Sequence, residues 1–288
     1  MKIAIWGCRG SISAPGKETL RYGGESTCLE VTTDEGNTII IDAGSGIRKL
    51  GTKLLRNANN TNLTFILTHA HWDHLAGFPF FRPAFSPAFT MNLCGGPDPQ
   101  RSLLKFLQHQ MDPPYFPVDM SAMQAKFTEG CQCGITKCVN TFPGIENSHK
   151  CESIPLNHPD GGYGFKQTNS EGKTFVFLTD NEIRFQHKNG RTREEYVSFC
   201  SDADLLFHDA HYTDEEYVKT KTWGHSTYKD AVDLAIDANV KKLGLFHHDP
   251  DRCDDDIDRY VAWCKEYIKS KNSELECFAC AEGMEFEL

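Results

Sequence analysis

Apolar residues in this chain come in short runs broken by glycine, asparagine and charged clusters, a pattern of strands and turns. Lys2–Gly7, Leu29–Val31, Thr38–Ile41 and Phe65–Leu67 read as strands of the first half. Gly164–Gln167, Thr174–Leu178, Leu205–Phe207, Lys242–Phe246 and Glu276–Ala279 read as strands of the second. Helix-like stretches fall at Ile47–Leu55, Thr227–Ala238 and Asp255–Lys269. The run Asp254-Asp255-Asp256 suits a helix start, where side-chain oxygens cap amides and negative charge meets the positive end of the dipole. Strands alternating with helices predict an α/β class with a duplicated βα pattern.

Between the halves, roughly Arg82 to Lys150 reads as an insertion beside whatever site the flanking loops build. It carries a helix-like piece at Arg101–Met111, then Asp112-Pro113-Pro114-Tyr115-Phe116-Pro117. That segment suits either a lid or a packing loop. Tyr115 and Phe116 could stack on a base or anchor the loop. Cys131, Cys133, Cys138 and Cys151 are compatible with a structural zinc but lack Cys-x-x-Cys pairs, which favours free thiols. Cys277-Phe278-Ala279-Cys280 sits in a strand pattern and reads as packing.

Length and composition narrow the class. The 288 residues accommodate one large domain spanning 1–288, and 39% hydrophobic content suffices for a core. No apolar run approaches a membrane span, and the N-terminus reads as a strand rather than a signal peptide. A cytoplasmic location is therefore expected. Twelve cysteines then point to thiols or metal ligands instead of disulfides. The formal net charge is -10, without a Lys/Arg-rich run. Long nucleic acid is bound largely by neutralising phosphates, so this balance disfavours it.

The chemistry concentrates in Thr68-His69-Ala70-His71-Trp72-Asp73-His74, directly after an apolar run. On an extended segment His69 and His71 share a side. Imidazole nitrogen and carboxylate oxygen suit zinc, with manganese or iron as alternatives. This His-x-His-x-Asp-His order resembles the signature of the metallo-β-lactamase superfamily, which continues with a histidine, an aspartate after an apolar strand and a histidine after a last apolar strand; His158 after Leu156-Asn157, Asp180 after Phe175–Thr179 and His247-His248 after Leu243–Phe246 match that continuation.

The resemblance implies an αββα sandwich: two facing mixed sheets with helices outside. It implies two divalent metal ions, one held by His69, His71 and His158, the other by Asp73, His74 and His247. Asp180 would bridge them, and a hydroxide between them would be the nucleophile. Asp73 counts here as both ligand and catalytic residue. His247 is preferred to His248 on strand phase and the family pattern. Asp42, in Ile41-Asp42-Ala43-Gly44, matches the family's supporting aspartate, bonded to the ligand loop.

A narrower resemblance lies in His208-Asp209-Ala210-His211 and Gly224-His225-Ser226-Thr227. They are similar to the His-Glu-Ala-Thr and His-Ser-Thr motifs of the tRNase Z branch, whose relatives open cyclic phosphodiesters. The resemblance implies that His225 protonates the leaving oxygen and Asp209 orients it. Two departures stand: Asp209 replaces Glu and His211 replaces Thr.

Near the N-terminus, Gly7-Cys8-Arg9-Gly10-Ser11 and Arg21-Tyr22-Gly23-Gly24 are glycine-rich loops in which Arg9 or Arg21 could meet a phosphate. Buttressing of the metal loop is the alternative.

The expectation is a dinuclear metal phosphodiesterase acting on a small phosphodiester, with a cyclic nucleotide favoured. No membrane partner is expected, and a homodimer is compatible with the chain. The rivals are a lactonase or thioesterase, a tRNA 3′-processing endonuclease, and a non-catalytic metal-binding module. A diiron flavoprotein is disfavoured by His71 and by the lack of a flavodoxin-like segment.

Overall fold

The computed structural model describes residues 1–57, 60–94, 103–129 and 149–288. Cys131, Cys133 and Cys138 lie outside that set, as does Arg101.

Thirteen strands form two sheets. The first sheet holds β1 (Lys2–Gly7), β2 (Cys28–Thr32), β3 (Thr38–Ile41), β4 (Asn62–Ile66), β5 (Thr90–Cys94), β6 (Lys126–Glu129) and β13 (Glu285–Glu287), in the order β13-β1-β2-β3-β4-β5-β6. The second holds β7 (Lys150–Pro155), β8 (Tyr163–Thr168), β9 (Thr174–Leu178), β10 (Leu205–Asp209), β11 (Lys242–Phe246) and β12 (Glu276–Ala279), in the order β12-β11-β10-β9-β8-β7. Both sheets are mixed: β3 to β6 run parallel, as do β9 to β12, beside antiparallel partners. Thr90–Cys94 and Lys126–Glu129 fall inside the span read as an insertion, yet they extend the first sheet.

Period-two alternation decides the layers. Ile39 and Ile41 face one core while Ile40 between them faces another. The central core joins Ile3, Leu29, Ile39 and Ile41 of the first sheet to Phe175, Phe177, Phe207 and Phe246 of the second. Outside the first sheet, Leu50 and Leu54 of α1 (Ile47–Arg56) and Leu103 and Leu107 of α3 (Leu103–His109) pack on Ile40, Leu63 and Phe65. Outside the second, Val176, Leu178, Leu206 and Leu243 meet α4 (Arg193–Cys200), α6 (Tyr228–Asp237) and α7 (Asp254–Ser270). The result is an αββα sandwich, as expected. The start of α7 differs by a residue from expectation: Cys253 is the N-cap, and Asp254, Asp255 and Asp256 fill the first turn.

The parallel strands β3, β4, β9, β10 and β11 send Asp42, Thr68–His74, Asp180, Asp209 and His247 out at or just beyond their C-terminal ends. That rim is where open α/β sheets build ligand sites. Cys277 and Cys280 are buried free thiols, Cys8 Sγ contacting the Cys280 carbonyl at 3.4 Å, in keeping with a packing role. Cys151 is likewise buried. Among the described residues no helix is long and apolar enough to cross a membrane.

Candidate metal centre

Three strand ends hand over their site residues through a left-handed turn. Asp42, Asp180 and His247 have φ of 62°, 50° and 59°. Non-glycine residues in this region cost on the order of 1–3 kcal/mol each and persist where the surroundings over-determine them. Here the turn swings each side chain off its strand toward the seam between the sheets.

Besides a group of His211, His225 and His247, two sets of donors share Asp180, each with its atoms within 4.8 Å of one another: His69, His71, His158 and Asp180, then Asp73, His74, His247 and Asp180. Asp180 divides its carboxylate between them. Oδ1 lies 3.2 Å from both His74 Nε2 and His247 Nε2, and Oδ2 lies 3.6 Å from His69 Nε2 and 4.0 Å from His158 Nε2. Asp73 Oδ2 stands 3.2 Å from His74 Nε2 and from His247 Nε2. His71 Nδ1 approaches His158 Nε2 to 3.0 Å.

These residues fit divalent cations. His69 Nε2 is buried without a hydrogen-bond partner, an arrangement costly for a polar atom unless something else binds it. The other ring nitrogens are held from behind. His74 Nδ1 meets Asp42 Oδ2 at 2.8 Å, which fixes its proton there and leaves Nε2 as a lone pair. His158 Nδ1 faces the Gly224 carbonyl at 3.3 Å. Asp42 also accepts from the Thr68 amide at 2.7 Å and hydroxyl at 2.8 Å, so it binds the ligand loop as expected. Burial drives His69 well below the usual imidazole range and His158 down to about 4. Burial opposes ionisation of Asp180, but His247, His74 and His69 hold it well below the ordinary carboxylate value.

Two glycines make room. A Cβ on Gly10 would stand 2.3 Å from His247 Nδ1, and one on Gly224 would stand 2.0 Å from His158 Nδ1. Gly224 also has φ +92°, which favours glycine on its own account.

His248 points elsewhere, its Nε2 2.9 Å from the Cys280 carbonyl. Successive residues leave a strand on opposite sides, so only His247 can face the seam.

Beside the two sets, His225 Nδ1 lies 2.7 Å from Asp209 Oδ2, and Asp209 Oδ1 accepts from the Ser226 amide at 3.1 Å. The shorter acid therefore still reaches. The His225 ring lies 5.6 Å from that of His158 and 4.9 Å from that of His247. His211 stacks on it at 4.6 Å and bonds the His247 carbonyl through Nδ1 at 2.8 Å. Burial pushes His225 down to about 4 and Asp209 up to about 6.

Three candidate substrate contacts are revised. Arg9 is fully buried and its guanidinium donates to the carbonyls of Gly23, Asp249 and Arg252, so it buttresses loops. The chain's need to satisfy those interior carbonyls outweighs any use as a surface cation. Arg21 is engaged by Asp254, Asp255 and Asp258 of α7. Phe116 packs on the outer core and edge-on to Phe80 at 5.6 Å, anchoring the loop rather than offering a free face. Tyr115 remains 69% exposed.

Sequence reasoning missed Glu182. Fully buried, it accepts from Tyr217 Oη, the amides of Thr222 and Gly224, and His187 Nε2 at 2.6–3.0 Å. It pins the loop that delivers His225. An acid two residues beyond Asp180 was the available signal. Ser11 was missed too: its amide, at φ 60°, donates to Asp73 Oδ2 at 2.8 Å.

Residues 37–248 match the Beta-lactamase superfamily domain. The chain belongs to that superfamily. Its similarity to the ribonuclease Z of Haloferax volcanii is 38% identity over 244 residues, covering 74% of this chain and 76% of the relative. Human tRNase Z, short form, superposes with a TM-score of 0.64 at 18% identity over 100% of this chain and 99% of the other. A diphosphatase from the PhnP family gives a TM-score of 0.64 at 17% identity over 100% of this chain and 97% of the other. These relatives fit the tRNase Z-like branch, and the chain is a metal-dependent hydrolase of that phosphodiesterase branch.

Proposed function

We propose that this member of the superfamily hydrolyses a phosphodiester in a small substrate, a cyclic nucleotide being the leading candidate. The observation that carries the reading is the His225–Asp209 pair at 2.7 Å, set against both donor sets. Acyl transfer has less need of such a donor, whereas a ribose alkoxide leaves poorly without a proton.

Two divalent metals, held by His69, His71 and His158 and by Asp73, His74 and His247 with Asp180 shared, would supply a nucleophilic water at neutral pH and positive charge against phosphoryl oxygens. The rest falls to the chain. Asp209 keeps the Nδ1 proton of His225 in place, so the opposite nitrogen, Nε2, is the one that carries the transferable proton. Burial, with His247 and His74 adding to it and Asp180 and Asp73 opposing, lowers His225 to about 4. A bound phosphodiester anion would favour its charged form and raise it toward working pH. After transfer, Asp209 stabilises the ring as it reloads.

The small substrate rests on charge. Besides Arg9 and Arg21, Arg184 is committed to Asp230 and Asp214, and Arg252 to Glu216. With a net charge of -10, a polyanion finds little to grip. One observation favours the second reading, tRNA 3′-processing: the curated relatives are named ribonuclease Z. The test is a metal-loaded comparison of 2′,3′- and 3′,5′-cyclic nucleotides, a lactone and a pre-tRNA with a 3′ trailer. Cyclic nucleotide turnover without trailer removal is expected. Trailer removal with a steep loss of affinity in salt and no small-diester hydrolysis overturns the small-substrate reading.

A further inference from the structure

Two clefts open beside the first donor set. One, of about 250 Å³, is lined by His69, His71, Phe106, Asp160 and Tyr163 among others. The second, of about 220 Å³, is lined by Trp72, Leu75, Phe106, His109, Gln110 and Tyr115 with Ala70. Ala70 and Phe106 line both, so the second cleft adjoins the one that holds His69 and His71. Together they fall in the range of small-ligand sites, about 300–1,000 Å³.

The second cleft is built in an unusual way. Trp72, inside the ligand motif itself, is 73% exposed, and Tyr115 is 69% exposed. Among the described residues neither ring faces another ring. Large aromatic side chains left in water are costly relative to burial, by about 1.5–3 kcal/mol for a Phe-sized group. Between them Gln110 Nε2 is buried without a hydrogen-bond partner, a second feature that points to an occupant. Among the described residues neither Lys nor Arg lines the two clefts.

We propose that Trp72, Tyr115 and Gln110 form a nucleobase subsite: the rings take the base faces and the Gln110 amide donates to an acceptor on the base edge. Aromatic faces accept any base, and a single amide donor adds edge preference. The inference rests on the phosphodiesterase reading above and names its ligand as a mononucleotide. These residues specify the substrate; they do not touch the reacting atoms.

The test compares Trp72→Ala, Tyr115→Ala and Gln110→Ala with wild type on a cyclic nucleotide and on glycerol 1,2-cyclic phosphate, which has no base. Each aromatic truncation should raise KM for the nucleotide by about 5- to 150-fold, the range of one lost stack, and leave the base-free diester unchanged. Trp72→Phe should restore most of the loss. Tryptophan fluorescence gives a second readout on protein without metals: a nucleoside monophosphate should quench wild type and leave Trp72→Phe unquenched. Equal losses on both diesters, or nucleotide kinetics and quenching unaffected by all three substitutions, overturn the subsite. Quenching without hydrolysis of any diester would instead sink the phosphodiesterase reading and spare the subsite.

Discussion

The two donor sets use the same chemistry but are walled differently. In the set of His69, His71 and His158, the His71 side chain is 41% exposed and its Nε2 leans on the 81% exposed Asp160 at 3.1 Å. In the set of Asp73, His74 and His247, every side chain is buried. There Asp42 holds His74, the Ser11 amide holds Asp73, and Gly10 closes over His247. The first set opens on a cleft and the second is sealed and braced. Buried, pre-oriented ligands should bind tightly and exchange slowly, while an open edge should exchange fast and meet substrate.

The most drastic way to break this comparison is to remove what the sets share. Asp180→Ala should reduce metal content from two ions to one at most and bring turnover to the detection limit. Elemental analysis alongside activity checks it, and a variant retaining two ions at full occupancy would refute the bridging role. His225→Ala should leave both sets loaded. It should slow a cyclic nucleotide by about 10²–10⁴-fold, the usual worth of general acid catalysis, and barely affect a p-nitrophenyl diester, whose phenolate leaves unaided. Equal losses on both substrates would make His225 a binding group.

Asp42→Asn sharpens the asymmetry, because asparagine tolerates the φ of 62°. We expect about 10–100-fold weaker binding at the sealed set, as when a hydrogen-bond partner behind a ligand is lost, with the open set little changed. Competition with a chromophoric chelator measures both. Chelation of wild type should proceed in two phases, and His71→Ala should abolish only the faster. A single phase releasing both ions together would erase the distinction. The smallest effect is expected from Asp160→Asn. An exposed pair contributes about 0–1 kcal/mol, so metal affinity should change less than about fivefold.

The legibility of the site follows from where its residues sit. His69, His71, Asp73 and His74 lie within one strand-to-helix turn, Trp72–Leu75 being the short helix α2. Asp180 and His247 each follow an apolar strand at once. Such residues are local consequences of a strand ending, and their spacing survives in the sequence. Arg9 and Arg21 misled for the opposite reason. A cation in a glycine-rich loop looks free until the partners arrive, Asp249 and Arg252 for one, Asp254, Asp255 and Asp258 for the other, all more than 200 residues away. Phe116 misled in the same way, its core lying outside its own segment.

By itself, then, the sequence determined the α/β class, which short-range periodicity writes, and it carried the four donor motifs and the His225–Asp209 pair through their resemblance to the superfamily. Only the tertiary structure decided that His247 and not His248 turns inward, that β5 and β6 belong to the sheet, and that Glu182 pins the His225 loop. It alone showed that one donor set is sealed and the other open. Those outcomes depend on burial and on contacts between distant segments, quantities that no local pattern encodes.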